Sequence, residues 1–192
     1  MEFTLQGPLV TRWSDDELLR CCLDNPYLGV ERDEPFNVVI IPPTRTWSGR
    51  RSLGAGRQLA NWNAESEAGE AFDSSTDFRL PDGSVRSPDP AWVARTRPAT
   101  IPPGAREGFA PVCPDFVIEM KSPSNDLAVL RRKMARWVEN GCRLARLLVP
   151  ETQTTYTYAP ERPEEALTSF DRRLSGEAVL PGFFLDLSRI NR

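Results

Sequence analysis

Short apolar runs next to proline predict the β-strands of this chain. These runs cover residues 37–41, 91–93, 116–120 and 144–149, and each has a proline within two residues. Short apolar runs bounded by turn-forming residues are typical of buried strands. Residues 30–32 precede the first run across a polar turn, so these two segments predict a β-hairpin.

Three segments instead have the apolar spacing of amphipathic helices. They cover residues 14–25, where Ser14 and Glu17 form a capping box, then residues 47–65 and residues 126–140. We expect Ser124 or Asn125 to cap the third helix. This helix lies between two apolar runs, which predicts a right-handed crossover joining two parallel strands. The pattern indicates an α/β fold in which helices flank a mixed β-sheet on both sides.

Length and composition favour one folded domain over residues 1–192. The chain is 40% hydrophobic and contains five Trp and nine Phe, which is enough apolar material for a full core. No apolar run approaches the length of a membrane span, and the first residues do not resemble a signal peptide. We therefore expect no membrane association and a cytoplasmic location.

The absence of histidine narrows the candidate chemistry. The chain has no His, and its four Cys show no C-x-x-C spacing, which argues against common zinc sites, Cys–His catalysis and Ser–His–Asp catalysis. A bound metal would need oxygen ligands, which favours Mg or Mn. The net charge of −3 means that nucleic-acid binding would depend on a local basic patch.

The strand at residues 116–120 carries the main candidate residues. Side chains alternate between the two faces of a strand, so Glu119 and Lys121 share one face, with Asp115 in phase at the strand's start. Phosphodiester hydrolysis uses a carboxylate-held divalent ion and a fixed positive charge, and this pair could supply both. A solvated strand end would also explain an isolated E-x-K.

A second candidate carboxylate precedes the strand at residues 91–93. Asp89 lies between Pro88 and Pro90, which restrict the backbone to extended conformations and would present the carboxylate where the strand begins. Asp89 could instead be an ordinary turn residue. A P-D motif followed about thirty residues later by E-x-K resembles the PD-(D/E)XK nuclease superfamily.

A more extensive resemblance covers the chain from about residue 25 to residue 190. The segments DSSTDFRLPDG, SPD, PDFVIEMKSPS and VLPGF, which begin at residues 73, 87, 114 and 179, resemble the Uma2 family of restriction endonuclease-like proteins. The resemblance implies a restriction endonuclease-like core and Mg- or Mn-dependent hydrolysis of DNA. In that function, Asp89 and Glu119 would hold the metal and Lys121 would stabilise charge.

Other residues would support this chemistry in secondary roles. Glu31 and Asp115 are candidate helpers, and Lys133 borders the apolar stripe of the third predicted helix, from which it could reach the catalytic face and replace Lys121. Phosphate contacts would come from three arginines near the start of the second helix, although each could simply be solvated. These are Arg45, Arg50 and Arg51.

One departure from the family leaves a second function open. Many relatives carry an acidic residue where this chain has Trp47 and Ser48, so that acid is missing or supplied elsewhere. The alternative function is a catalytically impaired module that binds nucleic acid or protein on a nuclease scaffold. Metal-independent DNA binding without cleavage would favour this alternative. A homodimer is one arrangement that the sequence allows.

Overall fold

The structure is a computed structural model that describes residues 3–5, 12–97 and 108–190. Within these ranges the helices are α1 (Asp15–Asp24), α2 (Thr46–Ser66) and α3 (Leu127–Glu139). The strands are β1 (Phe3–Thr4), β2 (Gly29–Arg32), β3 (Val38–Ile41), β4 (Gly69–Phe72), β5 (Phe78–Arg79), β6 (Val85–Arg86), β7 (Ala91–Ala94), β8 (Phe116–Met120), β9 (Leu144–Val149), β10 (Thr154–Tyr158), β11 (Glu165–Thr168), β12 (Arg173–Ser175) and β13 (Phe184–Asp186). A short 3-10 helix, Leu187–Arg189, follows β13.

A six-stranded mixed sheet forms the centre of the fold. Its strand order is β11-β10-β9-β8-β7-β4, and the pairing of β8 with β9 is parallel, whereas its other neighbouring strands pair antiparallel. Helix α3 connects the two parallel strands, as the apolar pattern predicted. The expected α/β fold with a mixed sheet is therefore confirmed.

Helices cover both faces of this sheet because residues on β8 alternate between two cores. Phe116 and Ile118 pack with Leu59 of α2, whereas Val117 packs with Met134 of α3. Burial of side chains of this size stabilises a fold by about 1.5–3 kcal/mol each. The predicted alternation is correct, so Glu119, in phase with Val117, lies on the α3 face.

A second, five-stranded sheet has the order β1-β3-β2-β6-β5 and packs against α1. The predicted hairpin is its β2–β3 pair. Helix α1 starts at the predicted capping box: Glu17 donates its backbone N–H to Ser14 Oγ, and Ser14 donates its own to Glu17 Oε2 at 2.8 Å. Leu18 then packs with Val30 and Val85.

The N-terminus of α3 differs from the prediction by one or two residues. Asp126 is the cap, because its carboxylate accepts from the backbone N–H groups of Ala128 and Val129. Asn125 instead accepts from the backbone N–H of Ser122 and closes the preceding turn. Asp and Asn are comparable caps, so sequence preference alone could not separate them.

The two larger sheets are joined at the segment of residues 87–90. This segment connects β6 of the five-stranded sheet to β7 of the six-stranded sheet. Residues from both sheets and from α3 therefore meet around it. Within residues 3–5, 12–97 and 108–190, no helix has both the length and the apolar character to cross a membrane.

Candidate active site

A cavity of about 480 Å³ lies where the two larger sheets meet. Its walls come from β2, the segment before β7, the end of β8, the start of α2 and the buried side of α3. Four carboxylates and one ammonium group contribute to its lining: Glu31, Asp77, Asp89, Glu119 and Lys133. Distant parts of the sequence therefore place a cluster of ionisable groups in one recess.

Lys133 joins two of these carboxylates. Its Nζ lies 2.9 Å from Glu119 Oε1 and 2.9 Å from Glu31 Oε1, and it donates to the Ser87 carbonyl oxygen at 3.3 Å. The side chains of Lys133 and Glu119 are each only 8% exposed. Helical spacing places Lys133 beside the buried Leu130 and Trp137, which turns its ammonium group inward. Lys133 therefore lies on the cavity side of α3, and its catalytic role stays a prediction.

Lys133, Arg86 and the Ser87 backbone all contact the Glu31 carboxylate. Arg86 Nη1 lies 3.2 Å from Glu31 Oε2, and the backbone N–H of Ser87 donates to Oε1 at 3.1 Å. Burial raises the pKa of Glu31, but Lys133 and Arg86 lower it more, so the pKa lies below its ordinary value. Glu31 is therefore a charged, fully partnered carboxylate that orients Lys133.

Glu119 is less completely compensated. Burial raises its pKa to about 7, Lys133 opposes that rise, and the nearby charges of Asp89 and Glu31 add to it. One ammonium group is thus shared between two buried carboxylates while a third lies close by. Additional positive charge near Glu119 would be strongly favoured there.

Asp89 is fixed against the end of β8. Its Oδ2 accepts from the backbone N–H of Met120 at 2.6 Å, and its Oδ1 accepts from Ser52 Oγ at 2.5 Å. Burial raises the pKa of Asp89 above its ordinary value. These contacts place Asp89 next to Glu119, so the structure brings the two predicted metal ligands together.

Lys121 does not join this cluster. Its Nζ lies 3.6 Å from Glu151 Oε1 and donates to the Ser122 carbonyl oxygen at 3.0 Å. Strand β8 ends at Met120, so strand alternation no longer fixes the direction of the next side chain. The expected convergence of Lys121 with Asp89 and Glu119 is corrected by this geometry: Lys133 occupies the place beside Glu119.

Asp115 lies at the opposite end of β8, about 13 Å away along the strand. Its Oδ2 accepts from the backbone N–H of Ala94 at 2.8 Å, and its Oδ1 lies 3.4 Å from Arg97 Nε and 3.8 Å from Arg143 Nη1. The structure therefore does not bring Asp115 to the cavity. It joins β7 and β8 to the start of β9.

The reasoning from sequence missed Asp77 and Ser87. Asp77 lines the cavity and accepts a hydrogen bond from Ser87 Oγ, and burial raises its pKa. Ser87 also contacts Glu31 and Lys133 through its backbone, so it links three of the ionisable groups. Asp77 lies in the segment DSSTDFRLPDG, which carries part of the family resemblance, but its partner Ser87 lies ten residues later.

The start of α2 forms part of the cavity mouth. Arg45 and Ser48 line the cavity, whereas Trp47 points outward and is 64% exposed, with the Arg50 guanidinium carbon 5.8 Å from its ring centroid. Arg51 is half-buried. The acid expected in this region is absent, but Glu31 and Asp77 place carboxylates in the same cavity from the other sheet.

The donor chemistry of the cavity suits a hard cation held by few protein ligands. Within the described ranges, no group of three or more Asp, Glu, Cys or His side chains is arranged to hold a metal ion. Asp89 and Glu119 nevertheless form an all-oxygen pair, and Mg-type ions are commonly bound by one or two carboxylates with water and substrate oxygens completing the shell. The residues therefore fit a divalent ion of that kind.

Comparison with known proteins identifies the family. A model of the Uma2 family, described as "Putative restriction endonuclease", matches residues 15–188. The chain belongs to the Uma2 family. Membership and fold together indicate a restriction endonuclease-like nuclease, a class that generally uses divalent cations and acts on nucleic acid.

One solved structure has the same fold as this chain. It is a crystal structure of a "putative nuclease belonging to DUF820" from Anabaena variabilis ATCC 29413, with a TM-score of 0.71 and 16% sequence identity. The alignment covers 85% of this chain and 89% of that one. Comparison with curated proteins gives no match. The restriction endonuclease-like fold expected from the sequence is thus confirmed.

Proposed function

We propose that this protein is a metal-dependent endonuclease that hydrolyses phosphodiester bonds of DNA. The observation that supports this function most directly is the buried Glu119, which lies 2.9 Å from Lys133 and beside Asp89 in a cavity open to solvent. Asp89 and Glu119 would hold Mg or Mn. When bound, the ion would polarise a phosphoryl oxygen and lower the pKa of a bound water molecule.

The protein's own groups would position the substrate and stabilise charge. Lys133 supplies a fixed ammonium group beside Glu119, where negative charge on a phosphodiester would develop during hydrolysis. Glu31 and the Ser87 carbonyl oxygen hold that ammonium group, so its position needs no rearrangement when substrate enters. Ser52 and the Met120 backbone hold Asp89 in the same way.

One observation favours the second candidate, a module that binds nucleic acid without cutting it. Lys133 already pairs with both Glu31 and Glu119, and both carboxylate oxygens of Asp89 accept hydrogen bonds. Carboxylate oxygens that are already paired in this way leave fewer positions for a metal ion. Binding in EDTA, with no cleavage when Mg or Mn is added, would support this second candidate.

The proposed reaction is tested by incubating purified protein with plasmid and oligonucleotide DNA in Mg, in Mn and in EDTA. We expect cleavage with a divalent ion and none in EDTA. Asp89→Asn should reduce cleavage about 100-fold or more, because it removes a metal-binding charge at nearly constant size. Glu151→Gln is the matched control, since Glu151 pairs with Lys121 outside the cavity. Cleavage that persists in EDTA would contradict the proposed chemistry.

A further inference from the structure

One exposed aromatic side chain lines the cavity mouth, and a second lies next to a lining residue in the sequence of α2. Tyr27 contributes to the cavity lining although it is 90% exposed, and Trp47 lies between the lining residues Arg45 and Ser48. Tyr and Trp rings carry a large apolar surface that a folded protein normally covers. Exposed rings at and next to the entrance of a candidate active site are suited to a ligand with flat apolar faces.

Both rings are carried by ordered backbone. Tyr27 follows the end of α1, in a turn closed by the hydrogen bond from the Leu28 backbone N–H to the Asn25 carbonyl oxygen at 2.9 Å. Trp47 lies in the first turn of α2, and the Arg50 guanidinium lies over its ring. The backbone that carries each ring is therefore held in place, which lowers part of the entropic cost of stacking on it.

Charge changes sign between the mouth and the floor of the cavity. Arg45 lines the mouth, and α2, which starts at the next residue, carries Arg50, Arg51 and Arg57, with Glu65 as the only acidic residue in the helix. The floor carries the carboxylates of Glu31, Asp77, Asp89 and Glu119. A nucleic-acid strand has the complementary chemistry, with phosphates for the arginines and base faces for the rings.

The depth of the reactive groups favours one form of nucleic acid. Glu119 and Lys133 are both recessed, so a phosphodiester must enter the cavity to reach them. In a duplex, base faces are covered by stacked neighbours and are not available to rings at the cavity mouth. A single strand exposes those faces and can bend its backbone inward.

We propose that Tyr27 and Trp47, with Arg45 and Arg50, form a stacking site for unpaired nucleobases next to the phosphodiester to be cleaved. The preferred substrate is then single-stranded or locally unpaired nucleic acid. This inference rests on the proposed function for the location of the phosphodiester, but binding at the mouth can be measured without cleavage. The same rings could otherwise pack against a second copy of the chain.

The test is binding of fluorescein-labelled oligonucleotides in EDTA, comparing a single strand with the duplex of the same sequence. We expect the wild type to bind the single strand more tightly. Tyr27→Ala and Trp47→Ala should each weaken that binding about 5- to 150-fold, the range that one lost base–aromatic stack represents. Trp47→Phe should retain most of the affinity, because a stacking face remains. Leu53→Ala is the matched control, since Leu53 is a 73% exposed apolar residue on the same helix.

Three outcomes would overturn the proposal. Duplex could bind as tightly as single strand while both alanine variants match the wild type, or no nucleic acid could bind at all. Sedimentation could also show a wild-type dimer that Trp47→Ala converts to monomer, which would make the rings a self-association surface. Thermal melts of each variant check folding. Cleavage with Mg or Mn is scored separately, so the proposed function can survive each of these results.

Discussion

Two buried carboxylates at opposite ends of β8 differ in how completely their charge is paired. Asp115, just before β8, is 1% exposed, and Glu119, near the end of β8, is 6% exposed. Both lie in the same strand phase, so a reading of sequence alternation treats them alike. Asp115 accepts from a backbone N–H and lies near two guanidinium groups, whereas Glu119 shares one ammonium group with Glu31 and lies close to Asp89.

The difference separates a stabilising acid from a candidate catalytic one. Buried charge is tolerated where its partners are complete, as they are around Asp115. Where partners are incomplete, as around Glu119, the arrangement lowers stability and indicates a functional site. Substitution of Asp115 should therefore chiefly change stability, whereas substitution of Glu119 should chiefly change cleavage.

Apart from the loss of Glu119 itself, the largest effect should come from removing the ammonium group beside it. We expect Lys133→Met to lower cleavage about 100- to 1000-fold per folded molecule, because a preorganised positive charge is lost. The measurement is the initial cleavage rate in Mn, corrected for the folded fraction from a urea unfolding curve. If the variant cleaves at the wild-type rate, Lys133 does not contribute to the proposed chemistry.

Asp115→Asn should lower the free energy of unfolding by about 1–3 kcal/mol, because charge-assisted contacts to Ala94 and Arg97 are weakened. Cleavage per folded molecule should stay at the wild-type level. Urea unfolding monitored by fluorescence measures the change. Asp171→Asn is the control at an exposed position and should shift stability by less than about 0.5 kcal/mol. Equal stability of the two variants would show that the Asp115 contacts do not stabilise the fold.

Glu119 should make stability depend on pH with a defined sign. Its pKa is about 7 when folded against 4.5 as the ordinary value, so between these values the folded protein keeps a proton that the unfolded chain releases. Glu119 therefore lowers stability progressively as pH rises from about 4.5 to about 7. In EDTA, Glu119→Gln should be more stable than the wild type at pH 8, on the order of 1–2 kcal/mol, with a smaller difference at pH 5. A difference independent of pH would contradict this environment.

The smallest effect should follow Lys121→Ala. Lys121 pairs with Glu151 rather than with the cavity carboxylates, so we expect its removal to change the cleavage rate less than about threefold. The assay is the same as for Lys133. A loss as large as that of Lys133→Met would restore Lys121 to the catalytic role that the E-x-K spacing suggested.

These comparisons also define how far the sequence could be interpreted. Strand alternation correctly placed Val117 and Glu119 on the face opposite Phe116 and Ile118. The prolines around Asp89 correctly indicated that it lies just before a strand. Strand alternation predicts the face of the sheet on which a side chain lies, but it does not predict which charged group the side chain pairs with. Lys121 was therefore misplaced, because Glu151 follows β9 and is thirty residues away.

No local sequence pattern could predict the contacts between the two sheets. Glu31 and Asp77 approach Glu119 and Lys133 only because the segment of residues 87–90 joins the sheets side by side. Local spacing carries no information about that junction. Asp115 was a candidate helper for a different reason, since phase along β8 does not distinguish the two ends of the strand.

The central claim is that catalysis depends on the carboxylate at one end of β8 and not on the one at the other. It is tested most directly by assaying Glu119→Gln and Asp115→Asn side by side for Mn-dependent cleavage, with folding checked on the same samples. We expect Glu119→Gln to remain folded and lose cleavage at least about 1000-fold, while Asp115→Asn is less stable but cleaves normally once folded. Normal cleavage by folded Glu119→Gln would contradict the claim.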